Sequence, residues 1–417
     1  VYNSAGFSGS RDLEIRDILN LLEDALVITD HSIAANRRDD GLYHAYNIAD
    51  FGEDTLRLHN LYSMLEGQVA VLSSGAIGAD EAADVLDALF ASAVYRDDQH
   101  SFMLYPDRQL PGFLDRNRVA EDQVRAIPLL HQMLEASDER IVLKDIDGCI
   151  RFSAEFTNAG DVQATLDAIG DGYAENDAVT RRAILDLYEE VFNHKAFTGR
   201  SGTMFGFEGL GSIYWHMVAK LLLAVEESFF NTLDSGADHA TLKRLGDLYY
   251  RVRFGIGFNK TPAEYGAFPT DPYSHTPRHA GAQQPGMTGQ VKEEVLTRFG
   301  ELGVRVRDGA ISIEPALLRA REFSNESRSF CYLDIDNSWQ TLNLPVSSLG
   351  FTWCQVPVVY VLDEGADAGL VIEFDDGTRA NFTDLNLPDD TSAELFRRSG
   401  RVRKITATFG ASRLFGN

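Results

Sequence analysis

Apolar residues recur at helical spacing through the first three-quarters of the chain. Leu13, Ile15, Ile18, Leu19, Leu21, Leu22 and Leu26 recur at this spacing, with acidic residues between them. The same period predicts helices over roughly 54–73, 80–95, 118–136, 176–193, 212–234, 238–254 and 289–300. Two connections are long, 197–211 and 260–289, and they hold Tyr, Phe, His and Pro rather than a disordered composition. Loops of that length inside a compact domain are commonly functional. After about residue 303 the period changes. Gly303–Val306, Ala310–Ile313, Ser329–Ile335, Val356–Leu362, Gly369–Phe374 and Val402–Phe409 read as short strands separated by turn signals. This pattern predicts a helical domain, residues 1–302, followed by a C-terminal antiparallel β-rich domain, 303–417, of structural role. No short repeat is visible, but the helix-hairpin rhythm suits a helical toroid.

Composition narrows the function. Of 417 residues, 44% are apolar and 24% charged, enough to bury a large core. The 63 acidic against 38 basic side chains leave a net charge of −25, which repels phosphate backbones and anionic membranes. No nucleic-acid or membrane partner is expected. Cys149, Cys331 and Cys354 are too few and too scattered for a disulfide framework or a zinc site, so no metal is expected. The chain begins at Val1, which reads as a fragment or processed product, and a cytoplasmic location is the working expectation.

Three segments concentrate chemistry. Asn36–Asn47 places two adjacent carboxylates, two arginines and three aromatic rings in one connection. A carboxylate walled by Tyr43, His44 and Tyr46 would have a raised pKa and suit a general acid. The same residues also describe an acidic helix end and a solvated turn. In 199–216, glycines permit close backbone approach to a ligand, and Glu208, Trp215 and His216 cluster before an apolar helix. Glu208 equally suits a helix N-terminus, and Trp215 and His216 a core. The third segment carries Glu264, Asp271, Tyr273, His275 and His279, then Thr288 and Gly289 at a helix start, where N–H groups form an anion site.

The order of these segments resembles the catalytic (α/α)6 domain of inverting glycoside phosphorylases, the cellobiose- and chitobiose-phosphorylase-like enzymes of glycoside hydrolase family ninety-four. Arg38–Asp39–Asp40–Gly41 is similar to that family's D-W-N-D-G segment, and Glu208–His216 to its K-E-N-G-G-I-F-x-H segment. Glu264–Tyr265 with Asp271–Pro272–Tyr273 resembles its E-P-Y-x-x-x-x-D-x-Y stretch, and His279, Gly281 and Thr288–Gly289 follow in the family's order. The sequence departs where Arg38 replaces a tryptophan and where Gly281–Gly289 replaces an aromatic run. The likeness covers about residues 35–320. It implies a six-hairpin toroid, incomplete here because a toroid needs twelve helices and the pattern predicts about eight or nine. It also implies that the chain is the C-terminal part of a longer protein.

The resemblance implies a mechanism. Asp40 would be the general acid, with Glu208 as the second catalytic group. His216, His279, Thr288 and Gly289 would hold inorganic phosphate as co-substrate, with no cofactor. Arg38, Tyr43, Trp215, Glu264, Asp271 and Tyr273 would hold the oligosaccharide, and a homodimer is implied by relatives. Two alternatives stay open: an inverting hydrolase using Asp40 with Glu208 or Asp271, and a non-catalytic carbohydrate-binding or scaffolding helical protein.

Overall fold

The computed structural model describes residues 12–52, 54–107, 111–193, 213–256, 260–264 and 291–416. Helix α1 (Ile15–Ala35) forms where the apolar period predicts it. None of its residues is buried, although Ile33 near its end packs partly against the core. Next come strands β1 (Asn47–Phe51) and β2 (Leu56–Asn60), an antiparallel hairpin with Phe51 opposite Leu56. The helix expected from residue 54 is thereby corrected: Leu56 and Leu58 alternate with Arg57 and His59, the period of a strand. Helices α2 (Leu65–Ser74) and α3 (Ala79–Ala91) follow, then the short antiparallel pair β3 (Tyr95–Arg96) and β4 (Ser101–Phe102).

Residues 107–211 form a separate compact unit. Its elements are α4 (Phe113–Arg116), α5 (Glu121–Ala126), α6 (Pro128–Glu135), the hairpin β5 (Val142–Lys144) and β6 (Ile150–Phe152), α7 (Ala159–Ile169) and α8 (Ala178–Phe192). The single helix expected over 118–136 is broken at Ile127. Pro128 has no N–H to donate and pushes the preceding residue to extended backbone, φ −109° and ψ 102°. Asn158 caps α7 by accepting from Gly160 N, and Asp177 caps α8 by accepting from Thr180 N. Leu129, Leu130, Met133, Phe152, Leu166 and Ile184 lie in this unit's own apolar core.

The other unit comprises residues 1–106 and 212–417. Helix α9 (Trp215–Asp234) is its axis, apolar on nearly every side and buried along most of its length. Around it pack α2, α3, α10 (His239–Phe254) and α11 (Val291–Glu301). Asp238 caps α10 by accepting from Ala240 N and Thr241 N. Across the α3–α10 contact, Arg244 pairs with Asp84 at 2.8 Å and with Asp87 at 2.5 Å.

After the hairpin β7 (Val304–Arg307) and β8 (Ala310–Ile313) come β9 (Arg328–Leu333) and β10 (Trp339–Leu344), also an antiparallel pair. A five-stranded sheet then forms from β11 (Ser348–Trp353), β12 (Val356–Leu362), β13 (Gly369–Phe374), β14 (Arg379–Phe382) and β15 (Val402–Phe409), with helix α12 (Asp389–Arg397) before its last strand. Its order is β11-β12-β15-β13-β14.

Two expectations about architecture are overturned. The mainly α (α/α)6 toroid does not occur among the described residues. In the unit of residues 1–106 and 212–417, α2, α3, α10 and α11 gather around α9, strands interrupt the helices along the chain, and the fold is mixed α/β. The C-terminal sheet is not purely antiparallel, because β12 pairs with β15 in parallel, Val358 opposite Ile405. The crossover through β13, β14 and α12 supplies the length that a parallel connection requires.

Candidate functional site

The first candidate segment is a tight turn after α1. Residues Arg37 and Tyr43 form an antiparallel bridge, His44 N donates to Asn36 O, and Gly41 takes φ +81° at the bend. Asp40 sits at the tip with its side chain about half exposed (49%). Arg38 grips it, Nε to Oδ1 at 3.0 Å and Nη2 to Oδ2 at 2.8 Å, and Leu42 N donates to Oδ1 at 3.2 Å. The Arg38 guanidinium holds the Asp40 carboxyl below the usual carboxylate range. A raised pKa was expected here, and the geometry gives the opposite sign.

The aromatic wall expected around Asp40 faces elsewhere. The bridge turns Tyr43 inward, where its N donates to Gln68 Oε1 at 2.9 Å and its hydroxyl donates to Glu81 Oε1 at 2.8 Å. Burial and Glu81 push the Tyr43 phenol up to about 12. Tyr46 donates its hydroxyl to Glu66 Oε2 at 2.6 Å. Tyr43 and Tyr46 help line a cavity of about 400 Å³ with Thr29, Ser32, His44 and Glu66, and neither Asp40 nor Arg38 lines it. Gly67 lets α2 approach this wall, since a Cβ there would lie 3.2 Å from Ala45 N.

A second cluster gathers at the start of α9. Trp215 is 3% exposed, and the Lys260 ammonium lies 5.4 Å from its ring centroid. His216 Nδ1 is buried with no hydrogen-bond partner among the described residues. Glu264 accepts from Thr261 N and Oγ1, both at 2.8 Å, and stands 3.9 Å from His100 Nε2. Those Thr261 bonds hold the Glu264 carboxyl below its ordinary range. Arg38 and Asp40 thus meet in one place, and Trp215 and Glu264 gather around Lys260 in another.

Glu208, Asp271, Tyr273, His279, Thr288 and Gly289 lie outside the described residues. Among the described residues no group of three or more His, Cys, Asp or Glu is placed to hold a metal ion. No described helix is long and apolar enough to cross a membrane. The partners that fix Tyr43 were missed from sequence. Gln68 and Glu81 lie 25 and 38 residues away, and no local pattern signals such pairings.

No curated protein matches the chain. Residues 110–195, nearly coincident with the described part of the separate unit, match the family model of GH149 phosphorylase insertion domain 2. That segment is therefore similar to a domain of a glycoside phosphorylase family, which points to an enzyme of that kind.

Proposed function

We propose that the protein is a glycoside phosphorylase that cleaves a β-linked oligosaccharide with inversion, releasing a sugar 1-phosphate. The match of residues 110–195 to a phosphorylase insertion domain carries this reading. The order of acid, His and Thr-Gly segments along the chain supports it. In this reading Asp40 protonates the glycosidic oxygen as the leaving sugar departs, and phosphate attacks the anomeric carbon from the opposite face. His216, with His279, Thr288 and Gly289, holds the phosphate in line, while Trp215, Glu264, Asp271 and Tyr273 shape the sugar subsites. Glu208 hydrogen-bonds sugar hydroxyls. A homodimer, as in relatives of the resembling family, is part of the proposal.

The ion pair adds a requirement. An Asp40 carboxyl bound to Arg38 favours its ionised form, so Arg38 must release it before it can hold a proton. Phosphate offers the guanidinium another anion, and its arrival couples co-substrate binding to protonation of the acid. Replacing Asp40→Asn tests the assignment. Turnover should fall by about 10²–10⁴-fold, the range for loss of a general acid. The melting temperature should barely move, because the side chain is half exposed. Retained turnover would remove Asp40 from the mechanism.

A further inference from the structure

Helix α1 stands almost uncovered. It runs for 21 residues, and none of them is buried. Most of a helix's stability in a folded protein comes from packing on its apolar face, and here little of the described chain covers that face. The face is large. Ile15, Leu19, Leu22 and Leu26 are all more than half exposed, and so are Leu21 and Ile28 beside them. With Ile18 they leave roughly 800 Å² open to water, about what one partner contributes to a stable interface.

The spacing shows what kind of partner fits. Ile15, Leu19, Leu22, Leu26, Thr29 and Ile33 follow one another at alternating intervals of four and three, the seam along which two helices interlock. Thr29 and Ser32 also lie on this side. Their hydroxyls already donate to Ala25 O and Ile28 O, so both can be covered without losing a hydrogen bond.

We infer that α1 pairs with α1 of a second copy of the chain, antiparallel across a two-fold axis. In that register Leu26 packs against Leu22 of the other copy, Leu19 against Thr29 and Ile33 against Ile15. The cavity of about 400 Å³ lined by Thr29, Ser32, Ile33 and Gly67 lies where the second Ile15 arrives. On one flank Ala25 meets Ala25, and its small side chain lets the helices close over Ile18, Leu21 and Ile28. On the other flank Arg16 comes opposite Asp30, twice per dimer. Neither has an ion-pair partner among the described residues. Glu23 meets Glu23 at the axis, the one charge pair that opposes the arrangement. A parallel pair would set Glu23 beside Ile18 and Asp30 beside Ala25, with no charge matched. This gives the homodimer of the proposed function an interface, and it stands whether or not the protein is a phosphorylase.

Sedimentation equilibrium of the whole chain tests it without reference to activity. The wild type should sediment at twice its 46.2 kDa, and the variant carrying Leu22→Glu and Leu26→Glu at 46.2 kDa. That variant should keep a cooperative unfolding transition, because no α1 side chain is buried, which separates loss of pairing from loss of the fold. Arg16→Glu and Asp30→Arg should each weaken dimerisation about tenfold, since each change acts twice per dimer. The two together should restore it. A monomeric wild type overturns the inference, and so does a dimer that survives the paired glutamate changes. Charge reversals that weaken the dimer singly without rescue in combination overturn the antiparallel register.

Discussion

Glu226 shows how one buried side chain makes stability depend on pH. It lies on α9, 6% exposed, and its buried Oε2 has no hydrogen-bond partner among the described residues. Gly300 faces it, and a Cβ there would come within 2.0 Å of Glu226 Oε1, so the carboxyl would have to shift. Nearby, Glu301 takes up the cations: Arg253 and Arg298 both donate to it, as does Tyr249. Burial and the Glu301 charge push Glu226 up to about 9. The folded state thus keeps a proton that the unfolded chain gives up near 4.5, and stability falls as pH rises between those values, by about 1.4 kcal/mol per pH unit at most. Glu226→Gln removes this term. Urea denaturation should show the variant gaining on the wild type by a few kcal/mol between pH 5 and pH 8. Parallel stability curves would mean that Glu226 is ionised in the fold. None of this is legible in the sequence, where Glu226 is one acid among many in an amphipathic period. Its neutrality depends on α11, some seventy residues on. Asp40 teaches the same lesson. Its turn was readable from Arg38–Gly41, but the sign of its pKa shift depends on which neighbour the backbone turns toward it.

Elements were legible where burial is two-sided or the period is strong. Strands β12, β13 and β15 fall where their apolar runs predict, and so do α3, α9 and α10 to within a few residues. Strand β14 was missed because its alternation runs over only four positions, and β10 because it is largely exposed. Strand β2 was read as helix because leucines two apart fit a helical window nearly as well as a strand. The α11–β7 junction is the sharpest local requirement. Gly303 takes φ +75° after the helix, its N donates to Gly300 O at 2.8 Å, and a Cβ there would lie 2.3 Å from the Glu314 backbone. Gly303→Ala should cost about 2–4 kcal/mol, combining left-handed strain with the clash. Chemical denaturation checks it, and a loss below about 0.5 kcal/mol would show that β8 yields easily.

At the scale of the whole molecule, two units each have an interior of their own. Every buried residue in the apolar core of the 107–211 unit lies between Val119 and Tyr188. A fragment of residues 107–193 should therefore melt as a cooperative, helical domain, even though a chain of that size is only marginally stabilised. A gradual loss of helical signal would show that its core needs the rest of the chain. The toroid failed as an expectation because periodicity reports which face of a helix is apolar, not what that face meets. Here the helices meet α9.

The central claim concerns phosphate. The most direct measurement incubates the protein with a panel of β-linked gluco- and chito-oligosaccharides, with and without inorganic phosphate, and assays sugar 1-phosphate. The account predicts release only with phosphate, with sugar 1-phosphate formed in equal amount to the shortened sugar. Release without phosphate, yielding free sugar alone, would contradict it and make the protein a hydrolase.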